Sequence, residues 1–259
     1  MISGAETTPT PQQNPTNGPS LVASMNPAQL DSLIKLLQVL EKQDNVIIKD
    51  STICQSINVG ATILFAELQS IIGAGVNMHI LSPRKTIKLF KAIKGNSNIA
   101  IYDDDDQKRY VVTNGAIKVF LPKQASELDE DISPPNLKEY SMLGKVVSVT
   151  KDVRSGISSV LNESDHCELL INGNQLKGIY VPETAVYLFE EYAKEPIDET
   201  NSELSLKSYS FLGIDAESYE IFLGQKGDNY WTMCRANTGY LIVDMYESVQ
   251  PITDESFLL

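Results

Sequence analysis

Residues 123 to 140, KQASELDEDISPPNLKEY, interrupt an otherwise patterned chain with a run of acids and a Pro-Pro pair. Proline holds the backbone extended and hydrated side chains gain nothing from a core, so this stretch reads as a connector. The connector, assigned to 123–139, divides the 259 residues into a first domain at 25–122 and a second at 140–250. Each part is long enough to bury a core, and an apolar content of 42% is that of a globular protein.

The same order of elements is expected on both sides of the connector. Residues 1–24, with four prolines and one charge, read as a disordered arm. A helix follows over about 27–42: Asn26 suits the N-cap, Pro27 the first helical position, and Leu30, Leu33, Ile34, Leu37 and Leu40 recur at helical spacing. The β-branched runs NVIIKD, STICQSIN, ATILFAEL and GVNMHIL are predicted strands. SPRKTIKLFKAIKG is a second helix with Ser82 as cap and Gly95 as stop, and three more strands close the domain. Beyond the connector the pattern restarts with a helix predicted over 141–161, strands, a short helix near LKSYSFLG, and three final strands. Residues 251–259 are left as a flexible tail. The fold class is therefore α+β, a repeat of architecture rather than of sequence.

Charge separates the classes of partner. With 21 basic and 34 acidic residues the formal net charge is −13, so the surface as a whole repels nucleic acid and acidic membranes. The second helix is the exception: Arg84, Lys85, Lys88, Lys91 and Lys94 fall in a stretch without an acid. At about 100° per residue, Arg84, Lys88 and Lys91 share a side flanked by Lys85 and Lys94, while Thr86, Leu89, Phe90 and Ile93 face away. A solvated face is the bland reading of such lysines; a phosphate backbone is the alternative that accounts for like charges gathered on one short helix. No aromatic interleaves them on that side and no side chain is set to read a base edge, so binding would be sequence-independent. Lys35 and Lys42 lie opposite the leucine stripe of the first helix, and Lys145, Lys151 and Arg154 belong to the helix predicted after the connector.

The segments LIKLLQVLEKQDNVIIKDSTICQSINVGATILFAELQSIIGAGVNMHILSPRKTIKLFKAIKGNSNIAIYDDDDQKRYVVTNG and LGIDAESYEIFLGQKGDNYWTMCRANTGYLIVDMYES resemble the DNA sliding clamps, specifically those of T-even bacteriophages. The resemblance implies the DNA clamp fold: two similar domains, each with helices on one face of antiparallel sheets, three protomers closing a ring with the helices inside. It further implies a processivity factor that encircles duplex DNA, tethers a replicative polymerase, is placed by a clamp loader, and supports phage late transcription. Lys35, Lys42, Arg84, Lys85, Lys88, Lys91, Lys94, Lys145, Lys151 and Arg154 would then line the channel. The acidic tail ending in Phe257, Leu258 and Leu259 resembles the short peptides with which partners dock on clamps; a frayed terminus is its plainer reading.

Catalysis finds little support. Asp103 to Asp106 could ligate Mg²⁺, but consecutive residues of a strand point to opposite faces, and Asp is ordinary turn chemistry for a hairpin tip. Two histidines, three scattered cysteines and the lack of a phosphate-binding glycine pattern argue against a metal centre, a nucleophilic triad or a nucleotide cofactor. No metal, cofactor or catalytic residue is expected. The remaining rival is a phage structural or adaptor protein of stacked β-domains that does not bind DNA. No apolar run of membrane-spanning length and no leader pattern occurs, so a cytoplasmic protein without membrane contact is expected.

Overall fold

The computed structural model describes residues 18–57, 62–123, 141–150, 166–172, 175–181, 185–189, 203–206, 214, 216 and 218–251. Most of the expected arm and connector, the tail with Phe257 to Leu259, and the short helix proposed near Lys207 lie outside them.

The chain opens with β1 (Ser20–Met25), so the last residues of the expected arm belong to a sheet. Ala23 and Met25 are buried, and β1 pairs antiparallel with β6 (Ile99–Asp104), whose ladder gives this short apolar run a place to bury. Helix α1 (Pro27–Val39) starts on a capping box. Asn26 Oδ1 accepts from the backbone N–H of Ala28 and Gln29 at 3.0 and 2.9 Å, while Gln29 Oε1 accepts from the N–H of Asn26 at 2.9 Å. The helix stops short of the expected residue 42. Its last carbonyls are taken by tighter bonds three residues on, from Leu40 and Glu41, and Glu41, Lys42 and Gln43 offer nothing apolar to the core.

β2 (Asn45–Ile48) and β3 (Thr52–Ile57) join through Asp50 and Ser51, at φ of 50° and 60°. That is the two-residue turn whose twist matches a hairpin. Ser51 also pins the neighbouring loop: its Oγ donates to the Gly73 carbonyl at 2.5 Å and accepts from the N–H of Val76 at 2.9 Å. β4 (Thr62–Glu67) is followed by a one-turn helix, α2 (Gln69–Ile72), too short to leave a periodic signal. β5 (Met78–Leu81) pairs with β2 and leads into α3 (Pro83–Ile93). β6, β7 (Arg109–Thr113) and β8 (Lys118–Pro122) complete the sheet β1-β6-β7-β8.

Residues 141–150 form strand β9 (Ser141–Thr150), not the start of a helix. Leu143, Val146 and Val147 have helical spacing, but the β-branched residues Val146, Val147, Val149 and Thr150 fit a pleated ladder better, and β14 (Ser218–Lys226) supplies one. Residues 151–161, the rest of that predicted helix, lie outside the described residues. β10 (His166–Asn172), β11 (Gln175–Val181), β12 (Ala185–Phe189), β15 (Asn229–Asn237) and β16 (Ile242–Pro251) fall where strands were expected, whereas β13 (Glu203–Leu206) was not expected and takes in Leu206, the first residue of the segment read as a short helix.

The pairings repeat. β1-β6-β7-β8 in the first half corresponds to β9-β14-β15-β16 in the second; β2 pairs with β5 as β10 pairs with β13, and β3 with β4 as β11 with β12. Among the described strands one pairing joins the halves: β16 lies antiparallel to β4, with Asp244 opposite Phe65 and Tyr246 opposite Ile63. Leu30, Leu33 and Leu37 of α1 and Ile87, Phe90 and Ile93 of α3 are buried with Ile99, Ile101, Val112 and Leu121 of the strands, so the two helices cover one face of the first sheet.

Candidate nucleic-acid interface

Helix α3 buries Pro83, Thr86, Ile87, Phe90 and Ile93 and leaves Arg84, Lys85, Lys88, Lys91 and Lys94 exposed. The apolar residues fall every three to four positions, so packing orients the helix and the cations are carried to solvent together. Leu89 lies at the margin, half-buried. The expected cap at Ser82 takes another form: Ser82 is left-handed at φ 53°, its side chain caps nothing, and its carbonyl accepts from the N–H of Lys85 and Thr86 at 2.9 and 3.2 Å.

Two cations in the first turn oppose the helix macrodipole, which favours acids there, and α3 has none. Arg84 and Lys85 therefore do not serve helix stability. Among the described residues no ion pair involves Arg84, Lys85, Lys88 or Lys91. Lys94 differs: its Nζ lies 2.7 Å from the carboxylate of Asp31, which α1 presents from its second turn. Asp31 was missed by sequence reasoning, although it is the lone acid of α1 and stands four residues before Lys35.

The other expected cations scatter. Lys35 is half-buried on α1, and Lys42 is exposed in the turn beyond it. Lys145 stands on β9 at the position opposite Phe222 of β14, on a strand rather than on a helix beside α3, so the helix-face argument that grouped it does not hold. Lys151, Arg154 and the tail residues Phe257, Leu258 and Leu259 lie outside the described residues.

The aspartate run is held by ion pairs. Lys123 Nζ contacts Asp103 Oδ2 at 2.7 Å and Asp105 Oδ1 at 2.6 Å, and Arg109 Nε contacts Asp104 Oδ2 at 2.8 Å. Arg109 also stacks 4.3 Å above the ring of Phe120. The hairpin tip expected at Asp103 to Asp106 begins later: Asp103 and Asp104 still belong to β6, Asp104 is buried, and only Asp105 to Gln107 form a 3-10 turn. No group of three His, Cys, Asp or Glu close enough to share a metal occurs among the described residues.

Nucleophiles are correspondingly muted. Burial pushes the Cys54 thiol up to about 11 and the Cys234 thiol well above its ordinary value. His79 is buried, burial lowers its pKa, and neither ring nitrogen has a hydrogen-bond partner among the described residues. A groove of about 530 Å³ between the end of β4 and the β15–β16 turn is lined by Glu67 and Tyr240 among others, with no cation, and is unsuited to phosphate. No helix among the described residues is long and apolar enough to cross a membrane.

No family model matches the chain, and no curated protein does. Solved structures match over nearly its whole length. The PCNA2–PCNA3 complex from Sulfolobus tokodaii aligns at a TM-score of 0.61 and 12% identity, covering 90% of this chain and 99% of that one. PCNA of A. fulgidus, bound to the C-terminal region of FEN-1, aligns at 0.62 and 10% identity with the same coverage. Proliferating Cellular Nuclear Antigen from Entamoeba histolytica aligns at 0.65 and 10%, again covering 90% and 99%. With its antiparallel sheets, few helices and doubled strand order, the chain has the DNA clamp fold.

Proposed function

We propose that this protein is a sliding clamp: a ring of three copies that encircles duplex DNA without reading its sequence and tethers a replicative polymerase. The observation that carries the proposal is the mismatch between one junction made and one left open. Within the chain, β16 of the second half pairs with β4 of the first. The repeat makes β8 the counterpart of β16 and β12 the counterpart of β4, and among the described strands both β8 and β12 end their sheets. A head-to-tail contact between β8 of one copy and β12 of the next repeats the internal junction, and a contact of this kind propagates until it closes. It also covers two strand edges that would otherwise invite aggregation.

The repeat supplies the register. Thr113 and Lys118 bracket the β7–β8 turn as Asn237 and Ile242 bracket the β15–β16 turn, so Phe120 corresponds to Asp244. The β3–β4 and β11–β12 hairpins match in the same way, so Leu188 corresponds to Phe65. Phe120 of one copy therefore faces Leu188 of the next. Asp244, under its partner strand, is 5% exposed, whereas Phe120 is 52% exposed, as a residue awaiting such a neighbour would be.

Closed head to tail, three copies set six similar units around a hole, with α3 and its cations toward the DNA and the surplus of acids outside. The protein has no chemistry of its own and acts by topology and charge. A T-even type of clamp, placed by a loader and shared with late transcription, is the finer form of this reading, drawn from the likeness of the sequence; so is docking of the tail residues Phe257 to Leu259 on a partner site. The direct test is retention: clamp loaded on closed circular DNA withstands high salt and is released when the circle is cut. Equal loss from circular and linear DNA would leave the adaptor reading standing instead.

A further inference from the structure

The basic face of α3 is touched by one acid among the described residues, and that acid comes from a different helix. We infer that Asp31 limits the protein's affinity for DNA, by neutralising Lys94 at the end of the cationic face. The inference rests on the clamp reading and adds to it a residue whose effect is to weaken binding.

Three observations support it. The pair is close, at 2.7 Å, yet its side chains are 40% and 44% exposed, and exposed pairs of this kind contribute little to folding. The α1–α3 contact has apolar residues to hold it, with Leu30, Leu33, Leu37, Phe90 and Ile93 all buried. The fold thus has little need of the carboxylate. Finally, Arg84, Lys85, Lys88 and Lys91 form no ion pair among the described residues, so on α3 Asp31 acts on one cation and leaves four. A ring that must move along DNA is served by a shallow electrostatic hold, because each neutralised phosphate tightens binding and steepens its dependence on salt.

Binding of the full chain to a short linear duplex, read by fluorescence anisotropy across a salt series, tests this. Asp31→Asn frees the charge of Lys94; affinity should rise about fivefold at low salt, and the slope of log K against log salt should steepen by about 0.9. Lys94→Ala alone should weaken binding less than Lys88→Ala, because Asp31 already offsets part of its charge, whereas Lys88→Ala should weaken binding about fivefold. In the Asp31→Asn background, Lys94→Ala should abolish the gain. A merely structural tie would move the melting temperature of Asp31→Asn and leave the salt slope alone. No gain from Asp31→Asn, or equal losses from Lys94→Ala and Lys88→Ala, overturns the inference while the clamp reading stands. If Lys88→Ala also has no effect, the assignment of the face to DNA fails and the inference falls with it.

Discussion

Lys123 explains why aspartates crowd the β6–β7 connection. Its ammonium sits between Asp103 and Asp105 and 5.7 Å from the ring of Tyr110, whose hydroxyl accepts from the backbone N–H of His79 at 3.3 Å. The run is an anchor for the last residue before the acid-rich stretch, a role that depends on a partner 20 positions away and so was not visible locally. His79 carries a pH prediction. The unfolded imidazole titrates near 6.5, and in the core desolvation lowers that value. Its contribution is fully present above 6.5 and is lost as the pH falls through the window between 6.5 and the lowered folded value. Chemical denaturation at a series of pH values should therefore show a decline below neutrality, and His79→Leu should flatten it. An unaltered acid limb in that variant would contradict the assignment. Truncation at the core is a separate matter: Leu37 is fully buried under α1, and Leu37→Ala should cost about 2–5 kcal/mol in urea unfolding.

Helix α3 was legible because two independent patterns coincide in it, an apolar stripe at helical spacing and an acid-free run of cations, and the fold exposes all five of those cations. The stretch 141–150 misled because Leu143, Val146 and Val147 satisfy helical spacing by chance; only the partner strand β14 decides between the two periods. Helix α2 and the left-handed Ser82 left no signal, since four residues are too few for periodicity and backbone conformation is set by the loops that meet there. Asp31 was hidden for a different reason: its partner is 63 residues distant. The basic face itself should be separable from assembly. Replacing Arg84, Lys88 and Lys91 together by Ala removes three exposed cations and no core contact, so the native mass and melting temperature should hold. The salt slope of DNA binding should fall by as much as about 2.7. A triple variant that binds as the parent does would remove α3 from the channel.

At the scale of the molecule, a repeated order of elements was expected from the sequence, but the strand order within the sheets and the β16–β4 pairing that joins the halves were not, because strand neighbours far apart in the chain leave no mark in local composition. On the clamp reading, that pairing is the pattern for a specific contact between copies. The native mass should be three times that of the protomer. The register follows from the repeat alone and can be checked at one pair of positions. Directly opposed residues of an antiparallel pair bring their Cα atoms to about 4.5–5.5 Å, within disulfide reach, whereas a shift of one residue turns the side chain to the other face. Oxidation of the double variant Phe120→Cys, Leu188→Cys, with Phe120→Cys, Tyr187→Cys as control, is the most direct measurement. The first should give covalent dimers and a closed trimer on non-reducing gels, and the control should remain monomeric. Cross-linking in the control but not in the first variant, or in neither, would contradict a ring built by repeating the β16–β4 junction.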